Sequence, residues 1–249
     1  MGSNPEISMK DLKRVPMFWL GLAGQALVFG GSAFGAPILA LHLASFEGFT
    51  KGWIGFYFAT PAITYVLNSV FVAWYCKIMS RKKVIFIGSL LFTLSMYMIG
   101  TSPLLGFESN YQTIHLGLAL LGFGIGMVAI PVIPETLDCI TMQFPHLESE
   151  ELNNVIAGYF NSSLGVGEAV APLSAGVLVE AFGYRRGVDV AATVLLVYTV
   201  MFFLLGGGFA LLMPEKTNQD SRIDAIDDNY IRIKEDATSK VPKSPLPAY

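Results

Sequence analysis

Residues 115–140 read HLGLALLGFGIGMVAIPVIPETLDCI. Between Leu116 and Pro134 there is no charged side chain, and about 20 such residues are what a helix needs to cross a bilayer's hydrocarbon core of roughly 30 Å. Pro131 and Pro134 each remove a backbone donor and leave a carbonyl free, which hydrocarbon tolerates only where the helix faces protein or a cavity. Gly122, Gly124 and Gly126 superficially match a nucleotide loop, but no strand precedes them. In this setting Gly122 and Gly126 are expected to let another helix approach closely.

Five further runs of the same kind surround this one, giving six predicted spans near 17–44, 53–78, 84–104, 115–140, 153–181 and 188–213. Of the 249 residues 53% are hydrophobic and 14% charged, against about 25% charged in ordinary soluble domains, and a soluble core of this size cannot bury such a chain. All 16 Lys and Arg lie between the runs or at the ends. The first run, starting at Val15, is too long for the apolar core of a cleaved signal and is expected to stay as a span. Lys10, Lys13, Arg14, Lys77, Arg81, Lys82 and Lys83 fall on one side and Lys51, Arg185 and Arg186 on the other, so both termini are expected in the cytosol. The predicted organisation is a cytosolic segment 1–14, a six-helix bundle 15–213 and a disordered cytosolic tail 214–249 of mixed charge.

Several classes drop out. No basic stripe with interleaved aromatics points to nucleic acid. His42, His115 and His146 lack metal-ligand spacing, and neither GxSxG nor HExxH occurs, so no enzyme, metal or cofactor is expected. Cys76 and Cys139 are expected as reduced, packed thiols.

The polar residues inside the spans mark the faces that avoid lipid. In the fifth span Asn154, Asn161 and Glu168 are seven apart, on one side of a helix and about 10.5 Å apart per step. Gly158, Gly165 and Pro172 run beside them and offer close backbone approach. Glu168 is the deepest ionisable group, expected to take a proton or a cationic substrate from one side and release it to the other; its alternative is a protonated carboxyl bonded to a neighbouring helix. Glu135, directly after Pro134, is the second candidate for proton or substrate coupling. In the second span Tyr57, Thr60, Thr64 and Asn68 share a face, and in the first Gln25 and Ser32 are seven apart; all are candidate cavity-lining groups, with simple helix packing as the alternative for the hydroxyls. Spans one, two, four and five are thus polar-striped, while three and six read as lipid-facing supports. The basic turns at Arg81–Lys83 and Arg185–Arg186 echo this division, as an inverted three-plus-three repeat would.

Three stretches carry a family likeness: Gly52-Trp53-Ile54-Gly55, Ile130-Pro131-Val132-Ile133-Pro134-Glu135, and Ser163 to Gly183 with its Ala171-Pro172 and Ala175-Gly176. Over roughly residues 15–213 the chain resembles the C-terminal six-helix half of a major facilitator superfamily transporter, most closely the vesicular amine and polyamine branch. The resemblance implies an all-α membrane fold, alternating access, and proton-coupled antiport of a small organic cation in a vesicle or other endomembrane. Lys77 and Ala73 stand where the family's basic turn has an Asp and a Gly, and Ala36 where an acid is expected. The resemblance also implies a second six-helix bundle, whether a separate N-terminal half, a second copy or another transporter, and Met1 to Lys13 is similar to the central loop of a longer transporter. Two alternatives are a non-transporting protein that regulates or pairs with a full-length transporter, and a six-span channel. Tyr230-Ile231-Arg232-Ile233, after Asp224, Asp227 and Asp228, fits an extended sorting signal for an adaptor subunit.

Overall fold

The computed structural model describes residues 12–46, 50–107, 109–147 and 149–208; Tyr230 and the tail 214–249 lie outside them, as do residues 1–11. Six helices follow one another: α1 (Pro16–Ala44), α2 (Lys51–Ile78), α3 (Arg81–Ile99), α4 (Tyr111–Gln143), α5 (Glu150–Phe182) and α6 (Tyr184–Gly206), with a single 3-10 turn at Pro145–Leu147. No strand occurs among the described residues. Each helix is long and apolar enough to cross a membrane; even α3, with 19 residues, reaches about 28 Å at 1.5 Å per residue. The chain is an all-helical, multi-pass membrane protein.

Hydropathy located the helices but not their ends, because capping chemistry lies outside the apolar run. α4 begins at Tyr111 because the Asn110 side chain accepts the Gln112 N–H at 3.0 Å, and α5 at Glu150 because Ser149 accepts the Leu152 N–H at 3.1 Å. α3 stops at Ile99, short of the expected 104. Thr101 turns to φ 45, and the N–H groups of Thr101 and Ser102 reach back to the Met98 and Tyr97 carbonyls at 3.0 Å each, a left-handed helix cap. A β-branched residue is strained there, and Arg185 holds the Thr101 carbonyl with Nε at 2.9 Å and Nη2 at 2.6 Å. The expected turn Gly183–Gly187 shrinks to Gly183 alone, whose φ of 78 reverses the chain between α5 and α6. Arg185 and Arg186 therefore sit in the first turn of α6.

Small residues set the packing. α1 and α5 run parallel: Ser163 Oγ donates to the Leu22 carbonyl at 2.7 Å, and a methyl group built on Gly30 would lie 3.0 Å from the Gly167 carbonyl oxygen. α2 and α4 form a second parallel pair through Asn68, whose Nδ2 donates to the Phe123 carbonyl at 2.9 Å. α3 lies antiparallel to α4, with Gly88 against Met127, Gly124 against Phe92 and Gly117 against Ile99. It crosses α6 through the Thr93–Thr199 hydroxyl contact of 3.2 Å and the Tyr97–Thr193 contact of 3.1 Å. Expected as a lipid-facing support, α3 is instead one of the two best-buried helices, because Thr93 and Tyr97 meet α6 and Gly88 packs on α4. α5 is the least buried, and α2 also leaves large apolar side chains bare, among them Phe71, Trp74, Val170 and Leu173.

A methyl at Gly167 would overlap the Ala26 carbonyl, and backbone cannot yield as a side chain does. Gly167→Val should therefore destabilise the bundle by about 2 kcal/mol or more, measured as a lowered midpoint in thermal unfolding of the detergent-solubilised protein, whereas Gly176→Ala, facing open space, should leave it unchanged.

Candidate functional site

A cavity of about 440 Å³ opens where α1, α2, α4 and α5 converge over α3. Its walls are mostly apolar: Phe29, Ala33, Gly35 and Leu39 from α1, Phe58 and Pro61 from α2, Leu118, Leu121 and Ile125 from α4, with Met96 and Ile99 of α3 behind them. The polar side chains at this wall are Ser32, Tyr65 and Glu168. Ser32 and Glu168, from different spans, thus line one cavity, and among the described residues Glu168 is the only carboxylate in its wall.

The cavity's wall is also rich in interrupted backbone. Proline has no N–H, so the carbonyl four residues before it loses its helical partner. Pro37 releases Ala33, Pro61 releases Tyr57 and Pro172 releases Glu168; of these six residues, Ala33, Pro61 and Glu168 line the cavity. A carboxylate beside such carbonyls and a serine hydroxyl offers oxygen acceptors to a cation within an apolar surround.

The other candidates are placed differently. Asn154 and Asn161 are exposed on the same open side of α5, toward the end where α5 begins, and are not part of this wall. Gly158 and Gly165 are exposed beside them, and a methyl built on either would meet nothing within 4 Å, so their close approach is not made to any described residue. Pro172 is half-buried and acts through the carbonyl it frees. The α2 stripe faces α4 rather than open space. Thr60 donates to the Phe56 carbonyl and Thr64 to the Thr60 and Pro61 carbonyls, Tyr57 donates to the Tyr111 carbonyl at 3.3 Å, and Asn68 is wholly buried. Methyl groups at Gly122 and Gly126 would run into Thr64 and Asn68, so these two glycines are what lets the polar stripe of α2 seat on α4. Gln25 is buried, its Oε1 without a hydrogen-bond partner among the described residues, and lies away from the cavity.

Glu135 sits at the opposite end of the bundle from the α5–α6 turn, 3.7 Å from Lys82 Nζ and within reach of the Cys139 thiol, which donates to its Oε1 at 3.6 Å. The neighbouring Arg81 pairs with Asp138. These bridges bind the start of α3 to the end of α4. Tyr65, Pro37 and Lys82 were not singled out from sequence. Tyr65 is one residue off the α2 stripe's phase, and Lys82 reads as an ordinary inside-positive charge; only Pro37, a proline within an apolar run, carried a local signal.

No protein-family model and no curated protein matches the chain.

Proposed function

We propose that this chain is one half of a secondary active transporter, an inverted three-plus-three repeat like the C-terminal half of a major facilitator transporter, which moves a small organic cation in exchange for protons by alternating access. The observation that carries the reading is Glu168 in the wall of a cavity shared by α1, α2, α4 and α5. A carboxylate at mid-span costs about 2.5–3.5 kcal/mol against lipid, and a water-accessible cavity with cation traffic removes that cost. The repeat is supported by the packing: α1 runs parallel to α5 as α4 runs parallel to α2, and α3 meets α6 at Thr93 and Thr199, the arrangement that exchanging the two triplets leaves unchanged. The likeness at Gly52–Gly55, Ile130–Glu135 and Ser163–Gly183 supports the vesicular amine and polyamine branch and an endomembrane setting, and the distribution of Lys and Arg supports cytosolic termini.

The bare faces of α2 and α5 call for a second six-helix bundle to close the cavity. Cysteines introduced at Phe71 and Leu173 should, with a short bifunctional thiol reagent in native membranes, capture a partner and give a product of roughly twice the 27.0 kDa chain mass or more. A monomer with both cysteines unlinked would remove the second bundle from this proposal. A bundle that docks on a full transporter without moving substrate is the second reading, favoured by the same bare faces; uptake of a radiolabelled amine into acid-loaded vesicles separates the two.

A further inference from the structure

At the end of the bundle where α1 and α3 begin and α4 and α6 finish, a second cavity of about 360 Å³ lies open between the four helix ends. It has nothing to do with the Glu168 site, which is set among other residues of the span. Its apolar lining comes from Met17 and Leu20, which are buried, and from Met142 and Leu205, which are exposed, and Lys82 and Gln143 stand in it as polar groups. Lys82 is partly exposed, and its ammonium, which has three N–H donors, is paired with Glu135 at 3.7 Å, beyond hydrogen-bond distance, so it can also serve a ligand. Lys13 and Arg14, exposed just before the first residues of this wall, add positive charge at the same end. Among the described residues, the acids at this end are Glu135, paired with Lys82, and Asp138, paired with Arg81, while Glu150 and Glu151 belong to the first turn of α5, outside the cavity's walls.

The same end bears the mark of a membrane interface. Trp19 is half exposed, and its indole N–H donates to the Lys13 carbonyl at 3.2 Å, an apolar ring with a tethered polar edge at headgroup depth. An apolar slot below a set of basic groups at that depth is complementary to one ligand shape, a hydrocarbon chain carrying a negative head. A free anion has no use for the apolar walls, and a zwitterionic lipid has no use for three cations.

We infer that this slot is a binding site for an anionic phospholipid, its phosphate held by Lys82 with Arg14 and Lys13 nearby and one acyl chain lying against Met17, Leu20, Met142 and Leu205. The phosphate competes with Glu135 for the Lys82 ammonium, so occupancy loosens the bridge between α3 and α4.

The test uses the full chain in phosphatidylcholine nanodiscs doped with photoactivatable phosphatidylserine, with the labelled peptides identified by mass spectrometry. Labelling should concentrate on residues 16–20 and 142–143 and exceed that from photoactivatable phosphatidylcholine by roughly fivefold or more. Lys82→Ala should remove the excess, and Met17→Trp, which fills the slot and leaves every charge in place, should remove labelling by both lipids at these residues. Should Lys82→Ala fail to fold, judged by elution and helix content, the Met17→Trp comparison decides. Equal labelling by the two lipids, or labelling that survives the slot-filling variant, overturns the site. Suppression of the phosphatidylserine label by excess soluble glycerophosphoserine would also overturn it, since the ligand would then be a water-borne anion.

Discussion

On the proposed transport function, Glu168→Gln should abolish proton-driven cation uptake by the assembled protein, with a drop of about a hundredfold or more, while the protein remains inserted and helical. Gln keeps the size and hydrogen-bonding reach of the side chain and removes only its charge and its proton. In a cavity closed by the second bundle, a cation that loses its carboxylate partner forfeits about 3 kcal/mol, and about 1.4 kcal/mol is a factor of ten in affinity. Structural damage is not the route, because Glu168 is exposed and, among the described residues, its carboxylate makes no hydrogen bond or ion pair to another helix. The effect is read from initial uptake rates at saturating and at limiting proton gradients. Uptake unchanged in both would move the coupling role to Glu135 or to the second bundle.

Glu135 is the natural competitor for that role, and its surroundings differ in kind. Its carboxylate is largely covered, faces the Lys82 ammonium and accepts from the Cys139 thiol, while Arg81 and Asp138 pair one turn away. Groups so engaged join helix ends. Glu168 has open volume before it and, through Pro172, its own carbonyl released from the helix ladder. One acid joins helix ends and the other lines open volume, and on that contrast the proposal gives the coupling role to Glu168.

The six helices were legible because twenty-residue apolar runs have no competing explanation in a chain this poor in charge. Their ends were not, since Asn110, Ser149 and the Thr101 cap act through single hydrogen bonds that hydropathy does not register. Helical phase found faces without saying what they face. Thr60, Thr64 and Asn68 share a side of α2 as Asn154, Asn161 and Glu168 share a side of α5, yet the first set seats on the glycines of α4 and the second is left open. Nothing local distinguishes the two, because Gly122 and Gly126, which receive the α2 stripe, belong to another helix. The meeting of Ser32 with Glu168, like the Lys82–Glu135 bridge, is set by how helices cross, and sequence periodicity carries no information about crossing.

That contrast between two identical-looking stripes gives the most direct measurement. In a background with Cys76 and Cys139 replaced by serine, single cysteines at Asn161, Glu168, Thr64 and Asn68 are exposed in intact membranes to a charged, water-soluble thiol reagent. Water lining α5 requires fast reaction at 161 and 168. Positions 64 and 68, sealed against α4, react only when that interface opens, and an opening cost of about 3 kcal/mol makes them about a hundredfold slower. The contradicting result is the reverse order, with 64 and 68 reacting fast and 161 and 168 protected, which would place the aqueous path along α2 and lipid against Glu168.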